Sequence, residues 1–110
     1  MKLKITPQKI VNLYKKHGYK PIHKEFCEKG SMCALSILAF DKKVFSTKDT
    51  MIRRENKIIK WLNSIESKDF HADSFMLGFD GHGKHGVINK KSYNLGIACF
   101  KAIDKAGLFD

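Results

Sequence analysis

Two short segments with nearly the same sequence constrain the fold of this chain more than any other feature. Residues 74–79 read SFMLGF and residues 92–97 read SYNLGI, and helical patterns surround both. A glycine inside a helix costs about 0.5–1 kcal/mol relative to alanine. The pattern therefore predicts that Gly78 and Gly96 meet where two helices cross closely, as the contact of an antiparallel helical hairpin. The alternative explanation is chance similarity between two ordinary helices.

The remaining sequence predicts an all-α single domain over residues 1–110, with four to five helices. Thr6 followed by Pro7 is typical of a helix start. Residues 32–41, capped by Ser31, are apolar on nearly every side and predict the central buried helix. No alternating strand of useful length is present. The other predicted segments are an irregular or extended connection at 19–30, helices at 49–64, 74–81 and 91–106, and a Gly/His loop at 81–90.

The charge of the chain indicates what kind of partner it could bind. Its 110 residues carry a formal charge of +10, from 21 Lys and Arg against 11 Asp and Glu. Such a charge favours an acidic protein or a nucleic acid as partner. Only two of the basic residues are arginines, and an AT-rich genome also yields lysine, so solvated surface lysines are the alternative. The hydrophobic fraction of 43% argues against wholesale disorder.

The sequence shows no feature of a membrane or secreted protein. Its longest apolar run, residues 32–40, is far shorter than the roughly 20 residues of a membrane helix. The beginning of the chain lacks the apolar stretch of a signal peptide. We therefore expect no transmembrane segment and a cytoplasmic location, with export by another route left open. Three cysteines, an odd number, do not make a disulfide framework, and no motif implies a cofactor.

The glycine-rich segment at residues 80–86 is the first candidate for a ligand site. Its glycines, together with Lys84 and the two histidines, could form an anion-binding concavity. Asp80, His82 and His85 could instead give a metal ion one carboxylate and two imidazoles. A surface turn whose side chains meet only water is the alternative. Residues 81–86 also fit G-x-G-x-x-G, and residues 78–84 fit most of a phosphate-binding G-x-x-x-x-G-K loop. Both motifs need a preceding strand, whereas a helical pattern precedes these residues, so we reject a dinucleotide-binding fold. The same argument, and His85 in place of the Ser or Thr that holds magnesium, disfavours a nucleotide hydrolase.

The predicted helix at residues 49–64 is the second candidate, for nucleic acid. It carries four cationic side chains close together and an indole that could stack on a base. The alternative is an amphipathic helix with a solvated cationic face and the indole at the rim of the core. The candidate residues are Arg53, Arg54, Lys57, Lys60 and Trp61.

Two weaker candidates involve cysteine. His23, Cys27 and Cys33 could bind zinc, although their spacing matches no common zinc knuckle. Cys27 could also be a nucleophile with His23 as its base. Catalytic partners meet in space and need no fixed spacing, so the sequence neither supports nor excludes this pair.

Three short motifs resemble those of small uncharacterised proteins of bacteria and their phages. They are residues 33–35 (CAL), residues 78–81 (GFDG), and Tyr93 followed three residues later by Gly96; the resemblance extends over roughly residues 30–107. The resemblance implies an all-helical fold and a bacterial or phage origin, and it transfers no activity or site residue.

Two functional hypotheses follow from these observations. The first is a small, basic, non-enzymatic binding or regulatory module that engages an acidic protein or nucleic acid. The second is a small metal- or anion-dependent enzyme centred on residues 80–86.

Overall fold

The fold is predominantly helical, as the sequence predicts. A computed structural model describes residues 4–22, 27–28, 30–81 and 83–109; the side chains of 27 and 28 are outside the description. The elements are the helices α1 (Pro7–His17), α2 (Ala34–Asp41), α3 (Met51–Ile65), α4 (Ala72–Phe79) and α5 (Lys90–Lys105), and the two-residue strands β1 (Lys20–Pro21), β2 (Cys27–Glu28) and β3 (Ser31–Met32).

Helix α1 begins and ends as its sequence predicts. The Thr6 side chain accepts a hydrogen bond from the Lys9 amide at 3.2 Å, and Pro7 occupies the first turn, where its missing N–H costs nothing. Gly18 follows the last residue in the left-handed conformation, with φ of 73°, and its N–H donates to the Tyr14 carbonyl. The apolar side of α1 contacts both α2 and α5.

The central buried helix, α2, begins two residues later than predicted. Ser31 does not cap it; Ser31 and Met32 instead form β3, which pairs parallel to β1 and antiparallel to β2. The Met32 carbonyl accepts the Tyr14 hydroxyl at 2.7 Å and the Ile22 amide at 3.2 Å, so its hydrogen bonds go to neighbouring segments. Every residue from Ala34 to Ala39 is buried, as the apolar sequence of this helix predicts.

Helix α3 buries fewer of its apolar side chains than its sequence suggests. It begins at Met51 after Thr50, whose side chain accepts a hydrogen bond from the Arg53 amide. Only Ile58 and Leu62 are buried. Three of its apolar residues are exposed: Met51 at 41%, Ile52 at 73% and Ile59 at 46%. At about 100° per residue, Ile52 and Ile59 lie near one another but about 100° away from the line through the two buried residues.

Helices α4 and α5 meet at the two glycines, and this part of the prediction is confirmed. A methyl group on Gly78 would contact the backbone of α5 at the Tyr93 carbonyl and the Ile97 amide. One on Gly96 would contact the backbone of α4 at the Phe75 carbonyl and the Phe79 amide. Each glycine therefore admits the backbone of the other helix to a distance that any side chain would prevent.

The predicted antiparallel sense of this helix pair is wrong. The His71 amide, at the start of α4, donates to the Ser92 hydroxyl in the first turn of α5. The Ser74 hydroxyl, in the first turn of α4, accepts from the Ile88 and Asn89 amides just before α5. The two helices thus begin side by side and run in the same sense, because the chain between them returns to the starting end of α4.

Candidate functional site

In the glycine-rich segment at 80–86, the described residues that follow Asp80, which are 81 and 83–86, are exposed to solvent between α4 and α5. Gly81 and Gly86 both have left-handed backbone, with φ of 79° and 85°, which explains why glycine stands at these positions. Lys84 and His85 are exposed, and the Val87 amide closes a turn by donating to the Lys84 carbonyl at 3.1 Å. The segment therefore presents a cationic side chain and an imidazole to solvent on a sharply bent backbone.

The candidate metal ligands of this segment differ in their surroundings. Asp80 follows α4 directly, is half-buried, and lies close enough to the buried Cys33 thiol for its charge to act on that thiol. His85 is exposed, and His82 is outside the described residues. Within the part of the chain that the structure describes, no three His, Cys, Asp or Glu side chains cluster as a metal site would require. A site that includes His82 stays a prediction.

A small cleft lies beside this turn. It encloses about 90 Å³ and is lined by Lys84 and Val87 from the turn and by Lys90, Tyr93 and Asn94 from the first turns of α5. Two lysines that line one cleft favour an oxyanion such as a carboxylate or phosphate. The sequence analysis identified Lys84 but missed Lys90, because only the return of the chain to the start of α5 brings the two lysines together.

The turn is held in place by a pair of buried serines that the sequence analysis did not identify as anchors. The Ser74 hydroxyl accepts the Ile88 and Asn89 amides, both at 3.1 Å, and Ser92 accepts the His71 amide at 2.9 Å. Ser74 is fully buried and Ser92 is 1% exposed. The signal was present in the sequence, since these serines are the first residues of the two similar segments.

The two similar segments are also preceded by matching helix caps. The capping residues, His71 and Asn89, each lie three positions before the serine. The His71 Nδ1 accepts the Ser74 amide at 3.2 Å, and the Asn89 Oδ1 accepts the Ser92 amide at 2.9 Å. The Ser74 hydroxyl also lies 2.7 Å from His71 Nδ1. His71 Nδ1 therefore caps the first turn of α4 as Asn89 Oδ1 caps the first turn of α5.

The cationic residues of α3 divide into two groups. The Arg54 guanidinium donates to the Asp49 and Thr47 carbonyls at 3.0 and 2.6 Å, and the Lys57 ammonium pairs with the Asp49 carboxylate at 2.9 Å. That pairing and the Ser46 amide hold the pKa of Asp49 below its usual range, the amide being the larger cause. Arg54 and Lys57 therefore bind the loop that precedes α3 to the helix, through Thr47 and Asp49.

The other group leaves its charge on the surface. Arg53 and Lys60 are exposed, and neither side chain forms an ion pair with the residues described. Trp61 is half-buried and packs against the hydrophobic core, as the rim alternative predicted. Of the five nucleic-acid candidates, Arg54 and Lys57 thus have partners in the loop before α3, and Trp61 packs against the core.

The described cysteines are poorly suited to nucleophilic chemistry. Burial raises the pKa of the Cys33 thiol to about 11, with the Asp80 charge a smaller cause in the same direction. Burial also raises the pKa of Cys99 to about 12. Because the thiolate is the reactive form, both thiols are inert at neutral pH. His23 and the Cys27 side chain are outside the described residues, so the zinc and catalytic hypotheses that need them stay predictions.

A second, wider groove lies where α1 and α2 end. It encloses about 540 Å³ and includes His17, Asp41 and Lys43 in its lining. Asp41 accepts hydrogen bonds from His17 at 3.0 Å and Lys16 at 3.1 Å, and these contacts lower its pKa, the His17 hydrogen bond most. Lys43 has left-handed backbone, with φ of 62°. Because Lys16 and His17 already contact Asp41, this groove is less suited to an external ligand than the cleft beside Lys84.

Comparison of the chain with protein-family models, with curated proteins and with solved structures finds no match. The implied bacterial or phage origin therefore stays a prediction. In the part of the chain described, no helix has the length and apolar character needed to cross a membrane.

Proposed function

We propose that this protein is a non-enzymatic binding module that engages an acidic protein. The observation that carries the proposal is the cleft beside the exposed turn, which Lys84 and Lys90 both line. Such a cleft accepts the carboxylate of a partner's aspartate or glutamate, while the net charge of +10 attracts an acidic surface over a longer range.

An acidic protein fits these features better than a nucleic acid. Arginine is the residue best suited to planar recognition of phosphate and bases, and the chain has only two. One of them, Arg54, is engaged with backbone carbonyls, and Lys57 is neutralised by Asp49. The indole of Trp61 packs against the core, which limits its use as a stacking surface.

The proposal is tested by measuring fluorescence anisotropy of a labelled glutamate-rich peptide titrated with the protein in about 50 mM salt. Reversing both cleft charges, in Lys84→Glu with Lys90→Glu, should weaken binding about tenfold or more, because two attractive contacts become repulsive. Lys101→Glu with Lys105→Glu is the matched control, since both residues are exposed and the change in net charge is the same.

Three outcomes of this titration count against the proposal. Equal loss in both double variants means that only the overall charge acts and that the cleft is not a site. Absence of binding to the peptide removes the acidic protein as partner. Tighter binding to an oligonucleotide of equal charge identifies the partner class as nucleic acid.

A further inference from the structure

The outer face of α3 carries a repeat that the fold does not use. Ile52, Arg53 and Asn56 recur seven residues later as Ile59, Lys60 and Asn63, so the pattern Ile–basic–x–x–Asn occurs twice in one helix. All six side chains are exposed. At about 100° per residue they share one face roughly 120° wide, on the side away from the buried Ile58 and Leu62.

Large apolar side chains are unusually exposed on the outer face of α3. Ile52 is 73% exposed and Ile59 is 46% exposed, and in the described part of the chain the only other large apolar side chains above a third exposed are Met51 and Ile88. Two isoleucines seven residues apart lie about 10.5 Å from one another along the helix axis. Because seven residues make almost two full turns, the two isoleucines lie nearly on one line along the helix, as the apolar residues do in helices that pack along their length.

We infer that the outer face of α3 docks an acidic amphipathic helix of another protein. This inference rests on the proposed function and adds a second surface to the cleft beside Lys84. A partner helix laid along α3 would bury Ile52 and Ile59 between its own apolar side chains, and its acidic residues would meet Arg53 and Lys60. Asn56 and Asn63 would lie between the apolar and cationic rows, where amides can pair with polar side chains.

The charge of the face decides between the possible occupants. A second copy of this chain would bring Arg53 and Lys60 against the same cations, and two chains of formal charge +10 repel one another. A membrane surface suits a helix with a broad apolar face that includes large aromatic or leucine side chains. Here the apolar row is two isoleucines long and only one side chain wide, and it runs beside two asparagines, which suits a narrow helical partner.

The test uses the full chain and a synthetic helical peptide with leucine at every seventh position and glutamate beside each leucine. Replacing both isoleucines, in Ile52→Ser with Ile59→Ser, should weaken peptide binding about tenfold or more, since two apolar side chains lose their burial. Ile88→Ser is the matched control, because Ile88 is 80% exposed on a loop; its affinity should stay within about twofold. Circular dichroism checks that each variant keeps its helices.

The outcomes separate this inference from the proposed function. If the isoleucine variant binds like the wild type while the Lys84 and Lys90 reversal weakens glutamate-peptide binding, the α3 inference is wrong and the proposed function stands. If the peptide does not bind below about 100 µM, the inference is overturned. Isoleucine-dependent binding to anionic phospholipid vesicles, or isoleucine-dependent dimerisation in sedimentation, would overturn it in favour of those occupants.

Discussion

Substituting Gly96 by alanine tests the closest contact in the fold. The added methyl group would lie 2.8 Å from the Phe79 amide nitrogen and 3.0 Å from the Phe75 carbonyl carbon, and closer still to the Phe75 oxygen. Ordinary contact begins near 3.4 Å, so relieving the Phe79 contact alone requires a movement of about 0.6 Å, and the closer Phe75 oxygen requires a larger one. Neither neighbour is a side chain that could rotate away, so the two helices have to part.

The cost follows from that displacement. A gap of about 0.5–1 Å forfeits about a quarter to a half of the dispersion attraction across an interface, and overpacking costs about 1–3 kcal/mol or more. Alanine also gains up to about 1 kcal/mol of helix propensity, which partly offsets the loss. We expect Gly96→Ala to lower the free energy of unfolding by about 2 kcal/mol, and the melting temperature by about 8–16 °C for a domain of this size.

Thermal and urea unfolding followed by circular dichroism measures the effect. Gly78→Ala should act in the same direction, because its methyl group would meet the backbone of α5 at Tyr93 and Ile97. Gly83→Ala is the matched control, since nothing lies within 4 Å of its added methyl group; its stability should change by less than about 0.5 kcal/mol. A Gly96→Ala protein that melts at or above the wild-type temperature would refute the close backbone contact.

Three further predictions concern other parts of the fold. Ser74→Ala leaves two backbone amides without their acceptor, so it should lower the free energy of unfolding in urea by about 2–3 kcal/mol. His71→Asn should keep the helix cap, whereas His71→Ala should lose about 1 kcal/mol of stability. Equal stability of all three variants would contradict this hydrogen-bond network. Lys43→Gly should raise the melting temperature through a gain of about 0.5–1 kcal/mol, because glycine has no penalty at φ of 62°; a lower temperature would mean that the lysine side chain stabilises the turn. Burial and the raised pKa values of about 11 and 12 should protect Cys33 and Cys99 from iodoacetamide at pH 8 until the protein unfolds, and peptide mass spectrometry showing rapid labelling in the native state would contradict their burial.

The sequence predicts most of the helices because their signals are local. Thr6, Pro7 and Gly18 define α1 through capping and backbone preferences that need no tertiary partner. The start of α2 was misplaced because Ser31 and Met32 are drawn into the small sheet by partners distant in the chain. Short strands of two residues leave no alternation to detect, so their hydrogen bonds emerge only from the fold.

The candidate sites show the same division between local and distant information. The exposure of Lys84 follows from the glycines around it, and the sequence analysis identified that segment. Its partner Lys90 was missed, because their proximity depends on α5 starting beside α4. On α3, the sequence predicts an amphipathic helix but not which apolar residues remain outside, since the neighbouring elements cover only a narrow stripe. Those uncovered residues, Ile52 and Ile59, carry the proposed interface.

The paired serines also determine how this end of the molecule opens. Helix α4 has eight residues, too few to persist as a helix by itself in water, so it is helical only while docked on α5. The amides bound by Ser74 and Ser92 should therefore exchange with deuterium together, when the whole pair separates as one cooperative unit. The exposed residues 83–86 in the connection from α4 to α5 lie outside that unit. Residues inserted at Gly83 should therefore leave the stability of both helices unchanged.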